Sequence, residues 1–394
     1  MNFKQLLARY EKGSITEEEK RIVEEEIEKY EALEEFFASK FETDFMNPTE
    51  KDIRIEESRK LTKKVNTRLR KVVLTSVTII TLCLLSIFFI ISPLVDSFYY
   101  NPAKISVGKS ISDVNFDLAA LIELNQPGYA LAGQANVDRL GFASYDGYFY
   151  RLNLFTQEVD EVPIKIKRNK SLSKNFFDID RPSFITIEAP GFLSSDDIKR
   201  QKERVMNHLQ QLSPVAYVAA YLTFEDDLSM EELEDLVVQK NHFLNFVWAG
   251  IRTAPKGERM NNLTGIALHH HSIIFHSGDQ PNTEKYPAFN FLEWLTGNEG
   301  IPPGSSRWAV GTELHYKSLL KYMIDRKDVP EVFANNPNQR EYYQKALDYV
   351  EENGVKAYGV LVYATAQDLI KLVENSPVKT LEIDRVLASQ RYIQ

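Results

Sequence analysis

Val72-Val-Leu-Thr-Ser-Val-Thr-Ile-Ile-Thr-Leu-Cys-Leu-Leu-Ser-Ile-Phe-Phe-Ile-Ile-Ser-Pro-Leu-Val95 runs for 24 residues without a charged side chain. As a helix it would reach roughly 36 Å, against roughly 30 Å for the hydrocarbon core of a bilayer. Backbone polar groups in lipid must be satisfied within the segment, so one helix is the expected form. Pro93 falls in its last turn, where a break costs little. A buried core helix is the alternative, but one this long and apolar on every face is rare. A cleaved leader would sit within the first ~30 residues and end in small residues. One membrane crossing is expected.

The flanks set its direction. Arg59, Lys60, Lys63, Lys64, Arg68, Arg70 and Lys71 precede the span, and Asp96, Phe98, Tyr99 and Tyr100 follow it. Basic residues stay on the cytoplasmic side and aromatic rings settle at the interface, so residues 1–71 are expected inside and residues 96–394 outside. Beside a span, the basic run reads as a topology signal and a contact for anionic membrane lipid rather than for nucleic acid. The net charge of −9 over 394 residues argues the same way for the whole chain. The single cysteine, Cys83, lies in the span. A large exported region without disulfides fits a Gram-positive bacterial envelope better than a eukaryotic surface.

On the N-terminal side, Phe3, Leu6, Leu7 and Tyr10 recur at helical spacing, and Gly13 reads as a stop. Thr16 with Glu19 three residues on is a capping-box pattern and predicts a helix near residues 17–40. One face of that helix carries Ile22, Val23, Ile27, Tyr30, Leu33, Phe36 and Phe37, and the other Glu24, Glu25, Glu28, Glu31 and Glu35. Met46-Asn-Pro-Thr49 reads as a loop, and a third helix is expected from near Glu50 into the membrane. A hairpin of about 40 residues buries little apolar surface alone. Its aromatic side chains therefore pack on the third helix, as a plain anchor, or lie in a partner's groove.

The run Tyr10-Glu-Lys-Gly13-Ser-Ile-Thr16-Glu-Glu-Glu19-Lys-Arg-Ile-Val23-Glu-Glu-Glu26-Ile27 resembles the helix–turn–helix opening of bacterial anti-sigma domains. Zinc-binding members of that group place a histidine and two cysteines where this chain has Glu26, Tyr30 and Leu33, so no metal site is available there. The wider layout includes Lys63-Lys-Val-Asn-Thr-Arg-Leu-Arg-Lys71, Phe98-Tyr-Tyr-Asn-Pro102 and the region from about Pro214. It is similar to membrane-anchored anti-sigma factors built from sigma-factor-regulator N- and C-terminal domains, such as the bacillar inhibitors of sigma-M, in a zinc-less version. The resemblance implies that residues ~1–55 bind an extracytoplasmic-function sigma factor and occlude its contacts with RNA polymerase. Leu6, Leu7, Tyr10, Ile22, Val23, Ile27, Tyr30, Leu33 and Phe36 would form the packing and docking stripe. It also implies an outer domain that reports envelope condition, with release by proteolysis or changed association. Many such regulators work with a second small membrane protein, on which these residues are silent.

Beyond the span, residues 104–190 read as strand-rich. Asp146-Gly147 between aromatic runs is a hairpin signal, and Phe184-Ile-Thr-Ile-Glu-Ala189 reads as a strand closed by Pro190-Gly191. Ser194 caps a helix through about Gln211. From Pro214, strands 215–224, 243–250, 357–363 and 378–383 alternate with helices 230–239, 338–353 and 366–374. The spacing of Tyr217 to Asp227-Leu228 echoes that of Tyr358 to Asp368-Leu369. Two strand–helix–strand units suggest a split βαβ, ferredoxin-like domain with an insertion. The expected class is α+β: a helical domain at 1–57, a basic segment at 58–71, the span at 72–95, a strand-rich domain at 96–212 and an α/β sensor domain at 213–394.

Candidates for chemistry are few. His269, His270, His271 and His276 cluster, and His269 and His271 would share a strand face, but no carboxylate stands at telling spacing, so an exposed polar segment is the simpler reading. The chain lacks GxSxG, HExxH and phosphate-loop patterns, and Pro302-Pro-Gly-Ser-Ser306 reads as a turn. The expectation is a protein without catalytic residues, metal or cofactor. The competing readings are an envelope-anchored binding protein whose inner segment is only an anchor, and a membrane-tethered hydrolase.

Overall fold

The computed structural model describes residues 3–42, 51–173, 184–239, 244–260, 262–268, 279–297, 301, 305–334 and 338–389. Two compact units result, Met1–Leu84 and Leu85–Gln394. The first contains α1 (Phe3–Glu11), α2 (Glu17–Glu42) and α3 (Lys51–Ser86, whose last two residues lie past the boundary). Gly13 ends the first helix in the left-handed region that a Cβ disfavours (φ +66°). At the start of α2 the capping box is present: the Glu19 N–H donates to Thr16 Oγ1 (3.4 Å) and the Thr16 N–H to Glu19 Oε2 (3.1 Å). These contacts hold the Glu19 carboxyl below its ordinary pKa, the Thr16 N–H first, with Arg9 adding to the effect.

Leu61–Ser97 is long and apolar enough to cross a membrane. Pro93 does not break it. A π-helical turn, Ile87–Ile91, leads into α4 (Ser92–Ser97), and the Ser92 N–H donates to Ile87 O, five residues back. Proline has no N–H to offer the preceding turn, and the wider register absorbs that loss.

The second unit continues with α5 (Asp113–Asn125), β1 (Tyr129–Leu131), β2 (Asn136–Gly141), β3 (Ser144–Asn153), β4 (Val159–Lys167), β5 (Lys170–Ser171), α6 (Ile185–Glu188) and α7 (Ser195–Gln211). Then come β6 (Tyr217–Ser229), α8 (Met230–Glu234), β7 (Asn245–Ile251), β8 (Gly265–Ala267), α9 (Phe291–Thr296), α10 (Arg307–Asp325), α11 (Asp328–Ala334), α12 (Gln339–Asn353), β9 (Lys356–Thr365), α13 (Ala366–Asn375) and β10 (Val378–Leu387). In the first sheet β3 is central, with β1 and β2 sharing one of its edges and β4 then β5 on the other. The second sheet has the order β10-β6-β9-β7-β8, antiparallel throughout.

Both faces of the second sheet are covered, which explains the unbroken apolar runs of its strands. Val218, Ala220, Leu222, Phe246, Val360 and Val362 share one buried cluster with side chains of α5, α10 and α12. Tyr217, Tyr221, Trp248, Tyr358 and Leu361 face a second cluster closed by Phe155 and Phe184. The first cluster runs from Tyr100 to Leu381, so the boundary at 212/213 marks a change of pattern and not a gap between cores.

Three readings need correction. Residues 185–188 are helical rather than extended, because Phe184 is drawn edge-on between Tyr221 and Tyr358 (centroids 5.0 and 5.1 Å) and the chain turns beneath it. Asp146-Gly147 lies inside β3, not in a turn; a Cβ on Gly147 would stand 2.0 Å from Asn136 O, so the glycine permits close strand approach. The hairpin turns instead at Phe142-Ala143, both left-handed (φ 52° and 54°). The Tyr217/Tyr358 echo is not structural either, since Asp227 sits in β6 and Asp368 in α13.

Candidate functional site

The N-terminal hairpin is asymmetric. α1 has 9 residues and α2 has 26, or about 13 Å against about 39 Å of helix. The shorter helix covers only the first turns of the longer one. There Val23 is fully buried, and Leu6, Tyr10 and Ile27 are half-buried. Leu7 lies near the edge of the contact at 37% exposure. Tyr10 Oη donates to Glu24 Oε1 (3.3 Å), and Arg9 pairs with Glu19 (3.1 Å), closing the turn end.

Ile22, on the flank, and the residues past α1 remain uncovered: Tyr30 is 70% exposed, Leu33 52%, Phe36 57% and Phe37 53%. At 100° per residue these five side chains fall within an arc of about 120° that also holds the Glu26–Lys29 ion pair (2.9 Å); Glu24, Glu28, Glu31 and Glu35 occupy the opposite arc, and Glu25 borders the ridge beside Phe36. Phe36 and Phe37 meet edge to face, 5.8 Å apart. The nine residues of the sequence stripe thus divide into a packed group around Val23 and an open group of Ile22, Tyr30, Leu33 and Phe36. Phe37 joins the open group, and its place four residues after Leu33 was the signal for it. An exposed ridge of this composition can seat in an apolar groove.

In the C-terminal unit the polar groups mostly hold structure. Asp117, fully buried, accepts from Tyr100 Oη (2.7 Å), Tyr322 Oη (2.7 Å), Arg326 Nε (2.8 Å) and Arg326 Nη2 (2.7 Å). His315, buried on α10, lies 2.6 Å from Ala288 O through Nδ1 and 2.8 Å from Glu123 Oε1 through Nε2. Both partners are acceptors, so the geometry is met in full when both ring nitrogens carry protons. Burial alone would lower the pKa of His315, but the Glu123 charge and the two hydrogen bonds raise it above its ordinary 6.5. A proton held more tightly folded than unfolded stabilises fully below that unfolded value, and the contribution disappears as pH rises through the folded one. The Tm advantage of the native chain over His315→Gln is therefore expected to shrink as pH rises above about 6.5. An advantage that grows with pH would contradict this pairing.

A cavity of about 300 Å³ lies between residues 186–198 and the ends of β6 and β10. Arg252 and Lys256 in its wall are already engaged by Asp227 (2.8 Å) and Asp226 (2.6 Å). Among the described residues no group of three His, Cys, Asp or Glu is placed to hold a metal ion. The residues 269–271 and 276 of the histidine cluster lie outside the described residues.

Residues 209–385 match the family described as sigma factor regulator C-terminal. The matched region begins in the last turn of α7 and ends within β10, taking in β6 to β9 and most of β10 with α8 to α13. The match supports an anti-sigma regulator and a sigma factor as partner. No curated protein and no solved structure matches the chain. The contacts of Asp117 and His315 cross into the matched region from the segment before it. Tyr322, Arg326 and His315 belong to it, whereas Asp117, Glu123 and Tyr100 come from the preceding segment.

Proposed function

We propose that this chain is a single-pass membrane anti-sigma factor that holds an extracytoplasmic-function sigma factor on the open ridge of α2. The carrying observation is the sigma factor regulator match over 209–385. The ridge of Ile22, Tyr30, Leu33, Phe36 and Phe37 supplies a docking surface of the right kind. The basic residues before the span favour a cytoplasmic hairpin, with residues 96–394 outside. The order β10-β6-β9-β7 with helices α8 and α13 as crossovers supports a ferredoxin-like sensor domain with β8 added at one edge. Such a domain would read the envelope by binding rather than by catalysis, with release by proteolysis or changed association. The likeness in layout to inhibitors of sigma-M favours a partner of that kind, with anionic lipid and a second small membrane protein as further contacts.

Full-length protein taken from membranes in mild detergent should bring down a sigma factor in near-equal amount. Recovery of none, with the hairpin protected in hydrogen exchange, would favour the envelope-anchored binding protein. The acidic arc should steer encounter rather than supply affinity. Glu24→Lys, Glu25→Lys and Glu28→Lys together should slow association on the order of ten-fold at low salt and flatten its salt dependence. An unchanged association rate would remove steering.

A further inference from the structure

The end of the first sheet that carries its two tight turns is fixed against the C-terminal end of the membrane helix. Ser92 and Asp96, one turn apart on α4, are both buried. The Phe142 N–H donates to Ser92 Oγ (3.0 Å), the Ala143 N–H donates to Asp96, and the Arg139 guanidinium holds the same carboxylate. The β4–β5 turn lies alongside: the Arg168 N–H donates to Ala143 O (2.8 Å), and the Tyr100 N–H to Asn169 Oδ1 (2.7 Å). Asp96 is the first charge after the apolar run, and Ser92 lies about 6 Å further along the helix toward its apolar part. The β2–β3 turn therefore reaches past the boundary that Asp96 marks.

What surrounds these turns is unlike the rest of an acidic chain. Lys165, Lys167, Arg168 and Lys170 are all exposed, and none forms an ion pair among the described residues. Ile164 and Ile166 point into the core, so Lys165 and Lys167 project from the opposite face of β4. Leu140 and Leu172 stand among these cations, each 65% exposed. The other end of the same strand pair, where Arg151 faces Asp160, carries Glu158, Asp160 and Glu161. Asp146 lies opposite Lys165, with Asp138 beyond it, so the end next to the membrane helix carries these four cations and two exposed leucines against these two carboxylates, whereas the far end is acidic.

We propose that this turn end is a membrane contact of its own, in which Lys165, Lys167, Arg168 and Lys170 bind the phosphate headgroups of anionic lipid and Leu140 and Leu172 enter the interface. The proposal rests on reading Leu61–Ser97 as a span. Lipid is the fitting partner because the patch is held at the helix end by buried contacts, so it meets headgroups at high local concentration without a separate binding event. Cations around isolated apolar side chains are the composition that anionic interfaces select. The contact would set the lie of the C-terminal unit on its leaflet and make it responsive to headgroup charge.

The test uses the full chain with Cys83→Ser, in nanodiscs of phosphatidylcholine alone or with about 30% phosphatidylglycerol. A fluorophore is attached through Leu172→Cys, or through Glu158→Cys at the far end, and quenched by nitroxide-headgroup lipid. Quenching at 172 is expected to rise about three-fold or more with the anionic lipid and to fall back with Lys165→Glu, Lys167→Glu and Lys170→Glu, while 158 stays unchanged. Equal quenching at 172 in both lipids would overturn the proposal, a comparison that needs no charge variant to fold. Equal quenching of the charge-reversed chain would overturn it as well. Co-elution of the chain with discs of both compositions tests the span separately.

Discussion

Replacing Asp117 with alanine is expected to destabilise the C-terminal unit by about 3 kcal/mol, the low end of what breaking a buried ion pair costs, because Arg326 keeps some contact with water. The carboxylate is the shared acceptor of two phenols and one guanidinium, all between 2.7 and 2.8 Å away. Without it Tyr100 and Tyr322 lose their acceptor, and Arg326 retains the longer contact to Asp113 (3.2 Å) and its place over the Tyr100 ring. Burial, the larger cause that holds both phenols well above their ordinary pKa, remains in the variant, so neither ionises to compensate. For a unit of this size the loss corresponds to a fall in Tm of roughly 5 °C. Tyr322→Phe, which removes one donor and leaves the ion pair, should cost only about 1 kcal/mol. Thermal unfolding in detergent followed by circular dichroism measures both. A shift below about 2 °C for Asp117→Ala would mean that this network does not join the juxtamembrane segment to α10.

Leu33→Asp with Phe37→Asp is expected to weaken sigma factor binding by 100-fold or more, about 2.7 kcal/mol, while leaving the hairpin folded. Both side chains are more than half exposed, so the folded hairpin loses little packing when they are replaced. Val23→Ala behaves in the opposite way. It removes a fully buried side chain, destabilises the hairpin by about 2 kcal/mol, and weakens binding only as far as the hairpin unfolds. Titration of labelled sigma factor, with helicity recorded on the same samples, separates the two. Full binding by the doubly substituted chain would move the docking surface away from α2.

The sequence is legible where the physics is local. Thr16 with Glu19, Ser194 with Asp197 and Ser229 with Glu232 are capping boxes three residues wide, and each closes as its spacing predicts. The long apolar runs around Tyr217 and Tyr358 read as strands because both faces of the second sheet are buried. Where a distant contact decides, local reading fails. Phe142-Ala143 has none of the glycine or asparagine that a left-handed turn favours; its N–H groups are held by Ser92 and Asp96, some fifty residues earlier. The β-branched run after Phe184 favours a strand, and the aromatic cage around that phenylalanine overrides it. α5 is buried on nearly all sides, so it shows no helical stripe to read. The stripe was visible as nine residues on α1 and α2, and Gly13 marked the end of α1, but which side of α2 the shorter helix covers is displayed only by the folded hairpin.

The proposed function stands on a span that parts the hairpin from the C-terminal unit, and side-selective labelling tests that most directly. Two chains would carry Cys83→Ser with either Lys12→Cys or Glu352→Cys, both at exposed positions. A membrane-impermeant maleimide should label the Glu352→Cys chain in intact cells and the Lys12→Cys chain only after permeabilisation. Labelling of both in intact cells, or of neither before permeabilisation, would contradict the arrangement and with it the binding of a cytoplasmic sigma factor.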